Sequence, residues 1–211
     1  MAYITRFAPS PTGPLHLGHA FSALIAWDRA QAVGGAFLLR IEDIDRPRCR
    51  PEYEAAIHDD LHWLGIDWPN PVMRQSERLP AYADALAQLT AMGLTYACHC
   101  TRGDIGAALS APQEGVTLGP DGPVYPGTCR GKALAEAGAA IRLDMAAAMK
   151  ITGPISFDDS GERAGSHGCT PDFMMENIGD IVLARRDIGT SYHLSVVVDD
   201  AAQHISEVVR G

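Results

Sequence analysis

Lysine is almost absent from this chain: Lys132 and Lys150 are the only two among 211 residues. Acidic residues outnumber basic ones, and the formal net charge at pH 7 is −9. A protein that binds nucleic acid without selectivity is normally basic, so the composition argues against this class. It does not exclude an enzyme that acts on RNA, because a local basic patch can contact phosphate while the remaining surface stays acidic.

Long apolar runs are also missing, and none approaches the roughly 20 residues of a membrane-spanning helix. The N-terminus lacks a basic-then-apolar leader, so we expect a cytoplasmic protein with no membrane partner. The chain has five cysteines, which is an odd count, and the cytoplasm keeps thiols reduced. A framework of disulfide bonds is therefore not expected. With 46% hydrophobic residues, the chain has the composition of a globular protein with a sizeable core.

The most informative stretch is residues 6–19, which read Arg-Phe-Ala-Pro-Ser-Pro-Thr-Gly-Pro-Leu-His-Leu-Gly-His. The apolar run 2–7 predicts a buried strand before it, and residues 20–33 predict a helix after it. Turns at the carboxyl ends of parallel strands are where α/β folds bind nucleotides. A helix N-terminus also offers unpaired N–H groups and partial positive charge, which suit phosphate.

Two histidines give this turn a possible chemistry. His16 and His19 are three residues apart, so they share one face of a helical turn and could stabilise charge on a triphosphate. Gly18 lies between them without a side chain, so a flat ring could lie against the backbone. Pro14 fits the first helical turn, where its missing donor costs nothing. A proline-rich turn with two surface histidines is the alternative, and the spacing alone supports it equally well.

The run at 11–19 resembles the first signature of the class I aminoacyl-tRNA synthetases, and Arg-Phe-Ala-Pro-Ser at 6–10 narrows the resemblance to their glutamyl and glutaminyl branch. The resemblance implies an α/β, Rossmann-like class I synthetase core with a zinc-bearing insertion. It also implies that His16, Gly18 and His19 bind ATP, with the two histidines as catalytic residues. Magnesium is expected to accompany ATP as part of the substrate.

Arg40-Ile41-Glu42-Asp43, at the end of a predicted strand 36–41, and residues 191–200 resemble the same branch. An amino acid with two carboxylates and one ammonium requires basic and acidic partners. By the resemblance, L-glutamate would be bound by Arg6, Ala8, Ser10, Glu42, Tyr192 and Arg210.

Cys98-His99-Cys100 is the second candidate site. Residues two apart in an extended chain point the same way, so both thiols could face one ion. Cys129 and a fourth ligand would complete a tetrahedral zinc site, for which Tyr125 and His99 compete; three buried free thiols are the alternative. The Cys-x-Cys and Tyr-x3-Cys pattern resembles the zinc site of the glutamyl-Q tRNA(Asp) synthetases. That resemblance implies a structural zinc bound by Cys98, Cys100, Tyr125 and Cys129, with His99 pointing elsewhere.

Beyond these motifs, helices are predicted from Pro51 to Gly65 and from Leu79 to Gly93. Residues 140–143 fit a helix or a strand. Strands are predicted at 151–157 and 178–185, and a loop at 158–171.

The resemblance divides the chain into three parts: the first half of the catalytic domain at 1–97, a zinc-bearing insertion for the tRNA acceptor end at 98–183, and the second half at 184–211. The lysine-rich second signature that holds the triphosphate in this family is missing from the sequence. We therefore expect a truncated chain, which puts the activity of this fragment alone in doubt.

The implied activity is ATP-dependent activation of L-glutamate and its transfer to queuosine in the anticodon of tRNA(Asp), by a monomer. Val196 favours this activity, because discriminating glutamyl-tRNA synthetases carry asparagine four residues after the tyrosine that matches Tyr192. Two alternatives remain open. One is a catalytic fragment of a glutamyl-tRNA synthetase that charges tRNA(Glu); the other is a non-enzymatic, zinc-stabilised RNA-binding paralogue.

Overall fold

The structure, a computed structural model, describes residues 2–109, 117–120 and 122–210. The chain forms two compact units: residues 1–83 with 194–211, and residues 84–193. In the described ranges, no helix combines the length and the apolar character needed to cross a membrane.

The first unit contains a parallel sheet of three strands in the order β1-β2-β3. Its strands are β1 (Ile4–Phe7), β2 (Ala36–Ile41) and β3 (Met73–Arg74). In the register, Arg6 lies opposite Leu38 and Arg40 lies opposite Met73. Because the strands are parallel, the residues that follow β1 and β2 emerge at one edge of the sheet, as the sequence predicts.

Helix α1 (Leu17–Ala32) connects β1 to β2 and buries Ala23, Ala26 and Ala30. These residues recur every three to four positions, so one small-residue stripe lies against the sheet. The helix begins at Leu17, later than Pro14, so the prediction that Pro14 lies in the first helical turn is wrong. The turn between β1 and α1 is simply longer than the position of the proline indicates.

Helix α2 (Pro51–Trp63) begins at Pro51 as predicted, with Glu52 and Glu54 in its first turn, where the helix dipole favours acids. Ile57 and Leu61 are fully buried. These side chains join one core that covers the sheet: Phe7, Ala23, Ala26, Ala30, Phe37, Leu39, Ile41, Ile57, Leu61, Ile66 and Val72.

The third helix, α3 (Leu79–Ala91), follows a 3-10 turn at Gln75–Glu77. Helix α7 (Tyr192–Ala202) is the last helix of the chain. After it, the backbone N–H groups of Ser206 and Glu207 both donate to the carbonyl of Ile4, and Val209 packs against the core of the first unit. This segment is therefore fixed beside strand β1.

The second unit is built on an antiparallel sheet in the order β10-β7-β4. Its strands are β4 (Thr95–Cys98), β7 (Ala140–Leu143) and β10 (Val182–Ala184). The remaining elements are α4 (Arg102–Leu109), β5 (Leu118–Gly119), β6 (Gly122–Pro123), α5 (Met145–Thr152), β8 (Ile155–Asp159), β9 (Gly165–Cys169), α6 (Pro171–Phe173) and a π-helix at Met174–Ile178.

Residues 140–143, which fit helix or strand in the sequence, form β7 in the centre of this sheet. The predicted strand at 151–157 is shifted, because α5 extends to Thr152 and β8 begins at Ile155. The predicted loop at 158–171 is wrong: β9 pairs with β8 as an antiparallel hairpin. Its glycine-rich, polar sequence conceals the strand because both strands are largely exposed and carry no buried apolar face.

Candidate active site and metal centre

The turn after β1 brings the two predicted histidines together. His16 directly precedes α1 in an extended conformation, and its backbone N–H donates to Nδ1 of His19 at 3.3 Å. The two rings stack, with centroids 3.7 Å apart and an interplanar angle of 21°. The prediction that both side chains share a face is therefore confirmed.

Gly18 permits this stacking. A Cβ at this position would lie 3.2 Å from Cε1 and 3.3 Å from Nδ1 of His16, tighter than ordinary contact. The ring that lies against the bare backbone of Gly18 is thus that of His16.

The protonation of His19 follows from its surroundings. Burial, and then the neighbouring His16, lower the pKa of His19 below its ordinary value of 6.5. Because Nδ1 accepts the backbone N–H of His16, the neutral ring carries its proton on Nε2. His19 therefore presents one neutral N–H donor, and its ring also packs edge-on against Phe7 at 6.5 Å between centroids.

Glu42 is the first residue after β2, and its backbone N–H donates to the carbonyl of Pro9 at 3.0 Å. This bond brings Glu42 beside the segment that carries Ala8 and Ser10. Ala8 is half-buried and Ser10 is exposed. The edge of the parallel sheet thus gathers four of the predicted glutamate residues: Arg6, Ala8, Ser10 and Glu42.

A network of four charged side chains lies at this edge. Arg6 donates from Nε and Nη2 to the two carboxylate oxygens of Asp200, at 3.0 and 3.2 Å. Arg40, fully buried, donates from Nη1 to Asp200 at 2.7 Å and from Nη2 to Glu42 at 3.1 Å. Two guanidinium groups thus alternate with two carboxylates, and the ionised network carries no net charge.

Burial raises the pKa of Glu42 above its ordinary value of 4.5, although the charges of Arg40 and Arg6 act in the opposite direction. Its side chain is only 7% exposed. An ammonium group that reached this carboxylate would therefore form a charge-assisted bond at a site largely shielded from water.

For the other two predicted glutamate residues, Tyr192 and Arg210, the structure describes only their local surroundings. Tyr192 is the first residue of α7, belongs to the second unit, is 40% exposed and packs edge-on against His193. Arg210 is exposed and lies beyond Val209. Their predicted roles stay predictions.

The three predicted cysteines meet in the second unit. The Sγ atoms of Cys98, Cys100 and Cys129 all lie within 4.8 Å of one another, and those of Cys100 and Cys129 are 3.4 Å apart. The Oη atom of Tyr125 lies 3.3 Å from Sγ of Cys98 and 3.4 Å from Sγ of Cys100. Ligand atoms of a tetrahedral zinc with Zn–S of ~2.3 Å lie about 3.8 Å apart. These four side chains could therefore bind one metal ion.

His99 does not join them. Its Nε2 atom is 2.8 Å from the carbonyl oxygen of Ala135, and the side chain is exposed. The alternation of the extended chain explains this, because the middle residue of Cys-x-Cys points away from its neighbours.

A positive charge accompanies the tyrosine. The guanidinium carbon of Arg142 lies 3.8 Å above the centre of the Tyr125 ring.

Burial raises the pKa of Cys129, but hydrogen bonds from Tyr125, the backbone of His99 and the other two cysteines prevail and lower it to about 6. A thiolate is the form that binds metal.

A buried carboxylate supports the metal centre. Asp180 accepts from the hydroxyl of Tyr96, from Nη2 of Arg130 at 2.6 Å and from the backbone N–H of Met145 at 3.0 Å. Tyr96 is two residues before Cys98, and Arg130 directly follows Cys129. Asp180 thus ties both cysteine-bearing segments to the start of α5.

The sequence prediction missed the residues that support both sites, above all Arg40, Asp180 and Asp200. Each is a charged residue that is largely buried, and each binds at least one partner that is far away in the chain. Arg40 had one available signal, since it occupies a strand position between two core residues, Leu39 and Ile41. Asp180 and Asp200 had no comparable local signal.

The chain has clear relatives. The family described as "tRNA synthetases class I (E and Q), catalytic domain" matches residues 3–211. The "Glutamyl-Q tRNA(Asp) synthetase" of Rhodobacter capsulatus is 58% identical over 99% of this chain and 76% of its own length. Proteins of the same name from Nitratidesulfovibrio vulgaris and Symbiobacterium thermophilum are 40% and 43% identical over 98% of this chain and 64% of their own length.

Two solved structures are similar in fold. The crystal structure of a glutamate tRNA ligase from Elizabethkingia meningosepticum in complex with its amino acid gives a TM-score of 0.74 at 27% identity. The glutamate-tRNA synthetase of Elizabethkingia anophelis gives 0.76 at the same identity. In both cases the match covers 100% of this chain and 44% of the other. The predicted fold and family are thus confirmed: the chain belongs to the class I tRNA synthetases of the E and Q type, and matches their catalytic domain.

Proposed function

We propose that the protein containing this chain activates L-glutamate with ATP and transfers it to queuosine in the anticodon of tRNA(Asp). The relatives named for this activity support the proposal, since one of them is 58% identical to the chain over 99% of the chain's length. Because the chain spans 76% of that relative and 64% of the next two, the activity is proposed for the whole protein.

One observation carries the chemistry: the opposite charges of Arg6 and Glu42 lie at the same sheet edge as the stacked pair His16 and His19. A carboxylate of glutamate would bind the arginine, and its ammonium would bind Glu42. Ala8 and Ser10 would line this pocket, and Tyr192 and Arg210 would complete it. His16, Gly18 and His19 would bind ATP, with magnesium accompanying the nucleotide.

In the first step, an oxygen of the α-carboxylate attacks the α-phosphorus of ATP, the bond to the β-phosphate oxygen breaks and pyrophosphate leaves. The pocket orients the nucleophile, and the N–H of His19 stabilises negative charge on the phosphates. The hydroxyl oxygen of queuosine then attacks the glutamyl carbonyl carbon and releases its proton to water. The bond from that carbon to the phosphate oxygen breaks, and AMP leaves. The protein forms no covalent intermediate.

The cysteine centre has a structural role in this proposal. Cys98, Cys100, Tyr125 and Cys129 would bind zinc as a closed set of four ligands, which leaves no position for a reactive water. Zinc would then fix the segment predicted as an insertion at 98–183, which would contact the tRNA. We place the protein in the cytoplasm, where its tRNA resides, and expect a monomer.

Glutamate-dependent exchange between ATP and pyrophosphate, measured on the full-length protein without tRNA, tests the first step. Exchange that requires L-glutamate supports the proposal. Absence of exchange at every glutamate concentration contradicts it and favours a non-enzymatic RNA-binding paralogue.

A further inference from the structure

We propose that Asp200 and Arg40 are positioning residues that hold Arg6 and Glu42 apart and aim each at the amino acid substrate. The inference rests on the proposed function, since it concerns the same glutamate site. It assigns a task to two residues that do not themselves contact substrate in this proposal.

Arg6 is bound by Asp200 through one edge of its guanidinium group. A guanidinium group has two edges that can each bind a carboxylate: one formed by Nε and one terminal nitrogen, the other by the two terminal nitrogens. Asp200 occupies the Nε and Nη2 edge of Arg6 with two hydrogen bonds. Within the described chain, Nη1 of Arg6 has no hydrogen-bond partner. The terminal edge therefore stays available for a second carboxylate.

Glu42 is bound by Arg40 through one of its two carboxylate oxygens. Its Oε1 atom accepts from Arg40, whereas Oε2 has no hydrogen-bond partner among the residues the structure describes. One oxygen is thus held by the protein and the other is left for an ammonium group. Arg6 thus presents a positively charged edge to the substrate, and Glu42 presents a negatively charged oxygen.

Arg6 and Glu42 are kept from pairing with each other by their other partners. Arg6 is close enough to lower the pKa of Glu42, yet the described residues show no ion pair between them. Each is already bound to a different partner, and Arg40 joins those partners by binding both Asp200 and Glu42. Without Asp200, Arg6 would be released toward the open oxygen of Glu42, and self-pairing would exclude the substrate ammonium.

Arg40 suits this task because its side chain is fully buried, whereas that of Asp200 is 21% exposed. Gln203 adds a third bond, accepting from Nη1 of Arg40 at 2.9 Å. A buried guanidinium held by three acceptors has little freedom to move. The distance between its two carboxylate partners is therefore fixed.

The test uses the Asp200→Asn variant of the full-length protein in the exchange assay. We expect KM for glutamate to rise at least about tenfold, since a charge-assisted pair is lost. KM for ATP and kcat at saturating glutamate stay near the wild-type values. Glu207→Gln is the matched control, because Glu207 is a carboxylate of the same unit that is 24% exposed and pairs with Arg29 instead of Arg6 or Arg40. It leaves both KM values unchanged.

A double-mutant cycle separates positioning from general loss of structure. If Asp200 acts through Arg6, then Asp200→Asn has a much smaller effect on KM for glutamate when Arg6 is already lysine. Additive effects overturn the inference, and so does an equal rise in the two KM values. If Asp200→Asn does not fold, Asp200→Glu keeps the charge but displaces the carboxylate; a normal KM for glutamate in that variant overturns the inference. A wild-type protein without exchange activity overturns the proposed function, whereas an active wild type with a normal Asp200→Asn variant overturns this inference alone.

Discussion

Arg6 and Asp200 lie 194 residues apart in the sequence and form a two-bond ion pair, with Nε and Nη2 of the arginine 3.0 and 3.2 Å from the two carboxylate oxygens. The pair joins the first strand to the last helix. Arg6, which the sequence assigns to the substrate, thus already uses one edge of its guanidinium group to bind Asp200. The orientation of Arg6 is fixed before glutamate arrives, which lowers the entropy cost of binding.

On acidification, glutamate binding should weaken at a higher pH than it would if Glu42 had the pKa of an ordinary carboxyl group. The pKa of Glu42 is raised by burial above 4.5, and only the ionised form binds an ammonium group. As pH falls through this raised pKa, Glu42 is protonated while Arg6 and Arg40 stay charged, and KM for glutamate rises. The measurement is the pH profile of KM for glutamate in the exchange assay. A Glu42→Gln variant should have a high KM without this pH dependence; a variant with the wild-type profile would show that Glu42 is not the titrating group.

His19 should be a neutral ring with its proton on Nε2 at pH 7. Its pKa is lowered below 6.5, and Nδ1 accepts the backbone N–H of His16 at 3.3 Å. Nitrogen NMR of the imidazole side chains reports which ring nitrogen is protonated, and a His19→Gln variant assigns the signals. A ring protonated on both nitrogens at pH 7 contradicts this prediction.

Replacement of Tyr125 by Phe should weaken zinc binding at least about tenfold, because one of four ligands is lost. We expect a lower zinc content after dialysis and a lower Tm, and chelation should lower the Tm of the wild-type protein in the same direction. His99→Ala is the control, since His99 points to the carbonyl of Ala135 and should retain zinc. Equal zinc retention by the Phe variant would remove Tyr125 from the ligand set.

Loss of the hydrogen bond from Tyr82 to the buried carboxylate of Asp199 should destabilise the first unit. Asp199 is fully buried and accepts from Arg78 at 2.6 Å, Tyr82 at 2.7 Å and Gln75 at 3.2 Å. Tyr82→Phe removes a hydrogen bond to a charged group, which should lower the free energy of unfolding by about 2 kcal/mol. Urea unfolding measures this change. Tyr53→Phe, on a half-buried tyrosine of α2, is the control, and an equal loss in both variants would mean that the bond to Asp199 is not the cause.

Much of the first unit could be predicted from sequence because its signals are local. The strand before Pro9, the helix that begins at Pro51 and the position of Gly65, with φ of 76°, follow from turn chemistry and apolar spacing. In the second unit, Gly93 has a φ of 72°, as its place after a helical apolar stripe predicts. The meeting of Cys98 and Cys100 follows from the alternation of an extended chain, which also explains why His99 points away.

The rest could not be predicted, because it depends on residues that meet only in the folded chain. Asp200 looks like an ordinary acid at the end of a helix, yet it binds Arg6 and Arg40 from two strands. Asp180 likewise has no local sequence signal, yet Tyr96, Arg130 and Met145 all donate to its carboxylate. The strand β9 pairs with β8 in a hairpin that is largely exposed on both strands, so no buried apolar face marks it.

Transfer of labelled glutamate by the full-length protein to purified tRNA(Asp), with and without queuosine, tests the central claim most directly. The account predicts ATP-dependent labelling of the queuosine-containing tRNA(Asp) only, with the label in the anticodon. Labelling of tRNA(Glu) at its 3′ end, or equal labelling of tRNA(Asp) that lacks queuosine, would contradict it.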